Sequence, residues 1–160
     1  MDEIVVIERF FEAYAAGFAR ALADPPEVDV EAAAGAFADC FIEAGPRGVS
    51  CGRNDETFRA QIPQGYAFYR RIGIRSMAVT TLAPSQLDER HWGVRVGWTA
   101  GYDHAGKSGD VEFEVLYLVW MTDIGPKIFA YITGDEEGEL RRLGLLDDPD
   151  QGGPVGGKAT

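Results

Sequence analysis

Between Ile4 and Leu22 apolar side chains recur at Ile7, Phe10, Phe11, Tyr14, Phe18, Ala21 and Leu22. Steps of three and four place them on one face of a helix, so the spacing predicts a helix over 4–22. Ala23-Asp24-Pro25-Pro26 ends it, because proline lacks an amide donor and the residue before it avoids helical geometry. A second, short helix is expected from Asp29, whose carboxylate can cap the first turn, through an alanine-rich run to Asp39 or Cys40. Phe41 to Ala44 then reads as a first strand, closed by the turn Gly45-Pro46-Arg47-Gly48. A third helix is expected over Asn54 to Arg71, with Phe58, Ile62, Tyr66 and Tyr69 on one face and Gly73 as its stop. Pro63 lies inside that segment and is expected to kink or split it.

Beyond Gly73 the period changes from about 3.6 to 2, the signature of strands. Ile74 to Leu82 is the first. In the next, Trp92, Val94, Val96, Trp98, Ala100 and Tyr102 alternate with polar residues and with glycines at 93, 97 and 101. Those glycines share one face and predict a bend or a close backbone approach there. His104 to Gly109 reads as a turn, Val111 to Met121 as a strand apolar on both faces beyond Glu114, and Asp123 to Pro126 as a turn into Lys127 to Thr133. Glu136 to Leu143 predicts one or two helical turns. The order implies a single α+β domain over 1–146, in which three N-terminal helices pack on the concave face of a strongly curved, mostly antiparallel sheet. A disordered tail is expected over 147–160.

Charge narrows the partners. The 160 residues hold 26 acids against 15 Lys plus Arg, a formal net charge of -11, which repels nucleic acid and anionic membrane surfaces. Acids within the first three residues argue against a signal peptide, and no apolar run approaches the roughly 18 to 20 residues of a membrane span. A cytoplasmic protein is expected. Cys40 and Cys51 lack zinc or redox spacing and read as small buried hydrophobes, with a disulfide between them left open. His91 and His104 have no second ligand at metal spacing and are expected to be exposed. With no phosphate loop, nucleophile elbow or HExxH pattern, neither metal nor cofactor is expected.

The order of a helix, a helix ending in AFADCFIEAGPRG, a third helix and long strands closing on GPKIFAYITG resembles the nuclear transport factor two-like superfamily. The resemblance is strongest to its SnoaL-like and ketosteroid isomerase-like branches and covers about Ile4 to Leu143. It implies a cone-shaped roll with a pocket between helices and sheet, and a homodimer. The superfamily includes isomerases, dehydratases, cyclases, hydrolases and transport adaptors, so the fold alone assigns no chemistry.

The isomerases it resembles carry a tyrosine on the first helix, an aspartate just before a proline after the second, and an acid on a late strand. Tyr14 matches the first. Gly45 stands before Pro46, and Leu118 stands at the late position, so the base and one oxyanion donor of that chemistry are missing. Glu43, two residues before Gly45, projects to the face the aspartate would use and is the candidate base, with Tyr14 as the candidate donor. Phe18, Trp98, Tyr102, Trp120 and Tyr131 are the candidate lining of a pocket for a hydrophobic ligand; core packing explains them as well. Asp39 reads as a helix terminator.

Two functions remain open at this point. One is a small-molecule pocket protein performing cofactor-independent isomerisation, dehydration or cyclisation. The other is a non-catalytic dimerisation or partner-binding module, with Thr99, Tyr117, Val119 and Met121 expected on the outer face where a second copy would bind.

Overall fold

The computed structural model describes residues 2–147; the expected tail lies, from 148 on, outside them. The first predicted helix is α1, Glu3–Leu22, with Ile7, Phe11, Tyr14, Phe18, Ala21 and Leu22 buried along one face. The Asp2 carboxylate accepts from the Ile4 amide at 3.0 Å, and Ala23 leaves helical geometry ahead of the prolines.

The second helix, α2, is shorter than expected. It spans Val30–Gly35, and Phe37 already belongs to strand β1, Phe37–Gly45. Asp39 and Cys40 are therefore strand residues, and Asp39 ends no helix. Alanine favours a helix only weakly, whereas pairing β1 on both sides satisfies its backbone and buries Phe37 and Phe41. Asn54 fixes the break, its Nδ2 donating to the carbonyls of Ala34 at 2.8 Å and Phe37 at 3.2 Å.

Strand β2, Gly48–Arg53, has no counterpart in the sequence reading. It pairs with β1 across a two-residue turn, Pro46-Arg47, and buries no side chain, so it leaves no alternating pattern to read. Cys40 and Cys51 sit on this hairpin as free, exposed thiols, not as buried hydrophobes. Helix α3, Glu56–Arg71, runs through Pro63 without splitting. It stops at Gly73, whose φ of +100° and approach to the Asp103 carbonyl (2.7 Å from an added Cβ) exclude a side chain.

Four strands follow: β3 (Ile74–Gln86), β4 (His91–His104), β5 (Lys107–Thr122) and β6 (Gly125–Thr133), and then helix α4 (Glu136–Arg142). The turn expected over 104–109 is only Ala105-Gly106, with φ values of +50° and +82°, the two left-handed residues of a tight hairpin. The six strands form one sheet in the order β2-β1-β6-β5-β4-β3, antiparallel except for the parallel pair of β1 and β6. The protein is thus an α+β fold with helices on one face of a curved mixed sheet. Among the described residues no helix is long and apolar enough to cross a membrane.

The curvature has a local cause. In the β3–β4 ladder Ile74 pairs with Tyr102 and Ser76 with Gly101, then Val79 with Trp98 and Thr81 with Gly97. Arg75 and Thr80 are therefore surplus residues, two bulges that bend β3. Gly101 and Gly97 stand opposite them. A Cβ on Gly97 would lie 2.2 Å from Thr81 Oγ1, and one on Gly101 2.5 Å from Ser76 Oγ. Gly93 is different, since an added Cβ there meets only leucine side chains at 3.9 Å.

On β5, Val115, Tyr117 and Val119 face the core, while Leu116 and Leu118 are half-buried and Trp120 is exposed. Tyr117 and Val119, expected on the outer face, are thus inside, and Met121, expected there too, packs against the same core. A run apolar on both faces gives no signal for choosing between them, and the packing of α1 decides it.

Gly97→Ala is expected to destabilise the protein by about 1–3 kcal/mol, because Thr81 is stiff at χ1 and cannot retreat freely. Gly93→Ala should change stability by less than about 0.5 kcal/mol. Urea midpoints of the two variants check this; equal midpoints would remove the bulge-and-glycine account of the bend.

Candidate functional site

The concave side is filled with rings. The Tyr14 ring centroid lies 6.0 Å from Phe18, 6.1 Å from Trp98, 6.2 Å from Phe37 and 6.4 Å from Tyr117. Tyr131 joins through Phe37 at 6.1 Å and Tyr117 at 6.3 Å. Tyr14 is 8% exposed, Trp98 3%, Tyr131 1% and Phe18 0%. Four of the predicted lining and donor residues thus come together as a closed interior, packed largely edge to face.

Polar tips run through this interior. Trp98 Nε1 donates to the Tyr117 hydroxyl at 3.1 Å, and the Tyr69 hydroxyl donates to Glu136, at the start of α4. The Tyr14 hydroxyl is buried and has no hydrogen-bond partner among the described residues. An orphaned buried donor costs roughly 1–3 kcal/mol, so it is an unmet demand for an acceptor. Burial first, then the neighbouring hydroxyls of Tyr117, Tyr66, Tyr131 and Tyr69, push the Tyr14 phenol well above its ordinary value. It therefore remains a protonated donor at any physiological pH. Burial likewise raises Tyr66 to about 12.

The open space lies beside these rings, between α1 and α2. A cavity of about 200 Å³ is bounded by Phe10, Ala13, Tyr14, Gly17 and Arg20 of α1, by Asp29 and the small residues of α2, and by Tyr66 of α3. The small side chains are what leave the void. An added Cβ on Gly17 or Gly35 meets nothing within 4 Å.

The other predicted residues stand elsewhere. Glu43 is half-buried on the Phe41 side of β1, in register with Tyr131 of β6 and Ser50 of β2. Tyr102 is partly buried, its ring packed over Gly109. Trp120 is 42% exposed on the convex face and does not line the interior. Gly45 could not carry an acid without displacement, since an added Cβ would lie 2.9 Å from Thr133 Oγ1. Leu118 faces outward, and its inward neighbours Tyr117 and Val119 are not acids. His91 is tied to Asp88 at 2.8 Å with 42% of its side chain exposed, and His104 is half-buried. No group of three His, Cys, Asp or Glu able to hold a metal occurs among the described residues.

Sequence reasoning missed Arg20, Tyr117 and Glu136 as site residues. Nothing in the spacing singled out Arg20, and Glu136 lies in the acid run Asp135-Glu136-Glu137, a pattern typical of a solvated end. Tyr66 and Tyr69 were visible as a helix face, but nothing in the spacing marked them as polar tips within an aromatic interior.

No protein-family model matches the chain, and no curated protein matches it in sequence. Solved structures do match in shape. An NTF2-like protein with a cystatin-like fold from Novosphingobium aromaticivorans superposes with a TM-score of 0.64 at 13% identity, over 91% of this chain and 90% of that one. A ketosteroid isomerase-like protein from Erwinia carotovora atroseptica gives 0.59 at 20% identity, over 83% and 95%. An NTF-2 like protein of unknown function from Shewanella oneidensis gives 0.60 at 14% identity, over 82% and 98%. The chain has the NTF2-like, cystatin-like α+β fold. At these identities the likeness extends to fold and not to activity.

Proposed function

We propose that this protein binds a compact, largely apolar small molecule at the α1–α2 cavity, with the Tyr14 hydroxyl as a donor to a ligand oxygen. The observation that carries this is a buried, protonated donor without an acceptor on a residue that lines a void. Binding needs only that donor and that space. A catalytic form, with Glu43 as base and Tyr14 as donor in a cofactor-independent isomerisation, dehydration or cyclisation, needs a different seat for its substrate, because Glu43 stands beside Tyr131 on β1 and is not among the residues that bound this cavity.

Tyr14→Phe tests the reading. Removing an unsatisfied hydroxyl should leave the apo protein as stable as before, or more stable by up to about 1 kcal/mol. The same change should weaken binding of acetophenone, an apolar ring with one carbonyl acceptor, by roughly threefold to tenfold. A lowered melting temperature together with unchanged affinity would show that the hydroxyl serves the core and not a ligand.

The second function class has its own support in the convex face. Ile42, Trp120 and Ile132 are exposed there by 43%, 42% and 46%, beside the half-buried Leu116, Leu118 and Phe129. This surface suits a homodimer formed through the sheet, in place of the outer face first expected. Sedimentation velocity at micromolar concentration should find the dimer, and finding only the 17.4 kDa chain would count against it.

A further inference from the structure

We propose that the α1–α2 cavity takes a small organic carboxylate, its charged end on the Arg20 guanidinium at the rim and its apolar body against Phe10, Ala13 and Gly17. The proposal rests on the pocket reading above and adds the chemical class of the ligand.

The argument is an inventory of polar groups around the void. Four side chains lining it carry polar atoms: Tyr14, Arg20, Asp29 and Tyr66. Asp29 is already engaged, its Oδ1 accepting from the Ala32 amide at 3.0 Å. The Tyr14 hydroxyl has no partner, and neither the Tyr66 hydroxyl nor the Arg20 guanidinium makes a hydrogen bond or ion pair with the described residues. The second carboxylate oxygen of Asp29 stays free to accept, but the other three side chains offer uncommitted donors. A ligand that satisfies them must bring oxygen acceptors, and next to a guanidinium the best acceptor is a carboxylate.

Arg20 lacks a counter-ion, as do Arg53, Arg70, Arg71 and Arg75 among the described residues, and of these Arg20 is the one that borders the void. With 26 acids against 15 Lys plus Arg, cations are scarce and carboxylates plentiful. Arg47, Arg59, Arg95, Arg141 and Arg142 each meet a carboxylate within 4 Å. Arg20 is exposed and meets none among the described residues, although it borders an apolar void. The Asp29 charge opposes an anion at the same rim, so the preference for an acid over its neutral analogue is modest and shrinks with salt.

Size narrows the class further. A void of about 200 Å³ is below the roughly 300–1,000 Å³ of pockets for drug-sized ligands, which points to a single-ring or short-chain acid.

The test is calorimetric titration of the full chain with 3-phenylpropionate and with its amide, 3-phenylpropanamide, for the wild type, Arg20→Gln and Gly17→Leu. The wild type should bind the acid about threefold more tightly than the amide at low salt. Arg20→Gln should bind both equally. Gly17→Leu fills open space and raises helix propensity, so it should keep the fold by circular dichroism and lose both ligands. Equal wild-type affinities for acid and amide would overturn the carboxylate assignment and leave the pocket standing. Binding of neither at millimolar concentration, or binding unaffected by Gly17→Leu, would overturn both.

Discussion

Arg75 and Thr80 are one residue too many at two points of the β3–β4 ladder, and the strand can absorb them only by bending. Gly101 and Gly97 face the bulges because a side chain there would overlap Ser76 or Thr81. A sheet bent this way encloses a hollow, and a hollow must be filled to the density of any protein interior. The remainder of the concave side answers that requirement.

Large rings fill most of it. Tyr14 and Phe18 descend from α1, Trp98 and Tyr117 rise from the sheet, and Tyr66 and Tyr69 close in from α3. Rings with polar tips bring hydroxyls into a dry space, where each needs a partner. Trp98 satisfies Tyr117 and Glu136 satisfies Tyr69, whereas Tyr14 is left over. Among the described residues, free volume lies at the seam between α1 and α2, where alanines and glycines pack poorly against each other. In this fold the site is what the filling of the hollow leaves behind.

Much of the architecture was legible because burial on one face writes a period into the sequence. α1, α3, β4 and the order of the later strands followed from Phe10 to Leu22, Phe58 to Tyr69 and Trp92 to Tyr102. Where burial was absent or two-sided, the period failed. Strand β2 buries no side chain and left no trace, and β5 is apolar on both faces, so Tyr117 was assigned to the wrong side. The boundary of α2 was lost because Ala32, Ala33 and Ala34 continue into Phe37 with no local signal that β6 would claim the backbone. The site was less legible than the fold. Trp120 and Trp98 look alike in sequence, and only register separates an exposed ring from a buried one. A missing partner for Arg20 or Tyr14 has no local signature, since it depends on every neighbour in space.

The central claim is that the hollow is packed shut around protonated tyrosines, and alkaline titration reaches it most directly. Tyr14, Tyr66, Tyr69 and Tyr117 have pKa values raised above the ordinary value of 10.0, chiefly by burial. A raised pKa in the folded state means that this contribution is whole below pH 10 and is lost as pH rises toward the folded values. Each such tyrosine removes about 1.4 kcal/mol of stability per pH unit above 10, so four together should unfold the protein within roughly one to two units. Absorbance at 295 nm followed with near-ultraviolet circular dichroism should show these tyrosines ionising only as the tertiary signal collapses. If all six tyrosines instead titrate near pH 10 with that signal intact, the interior is open to water and the account is wrong.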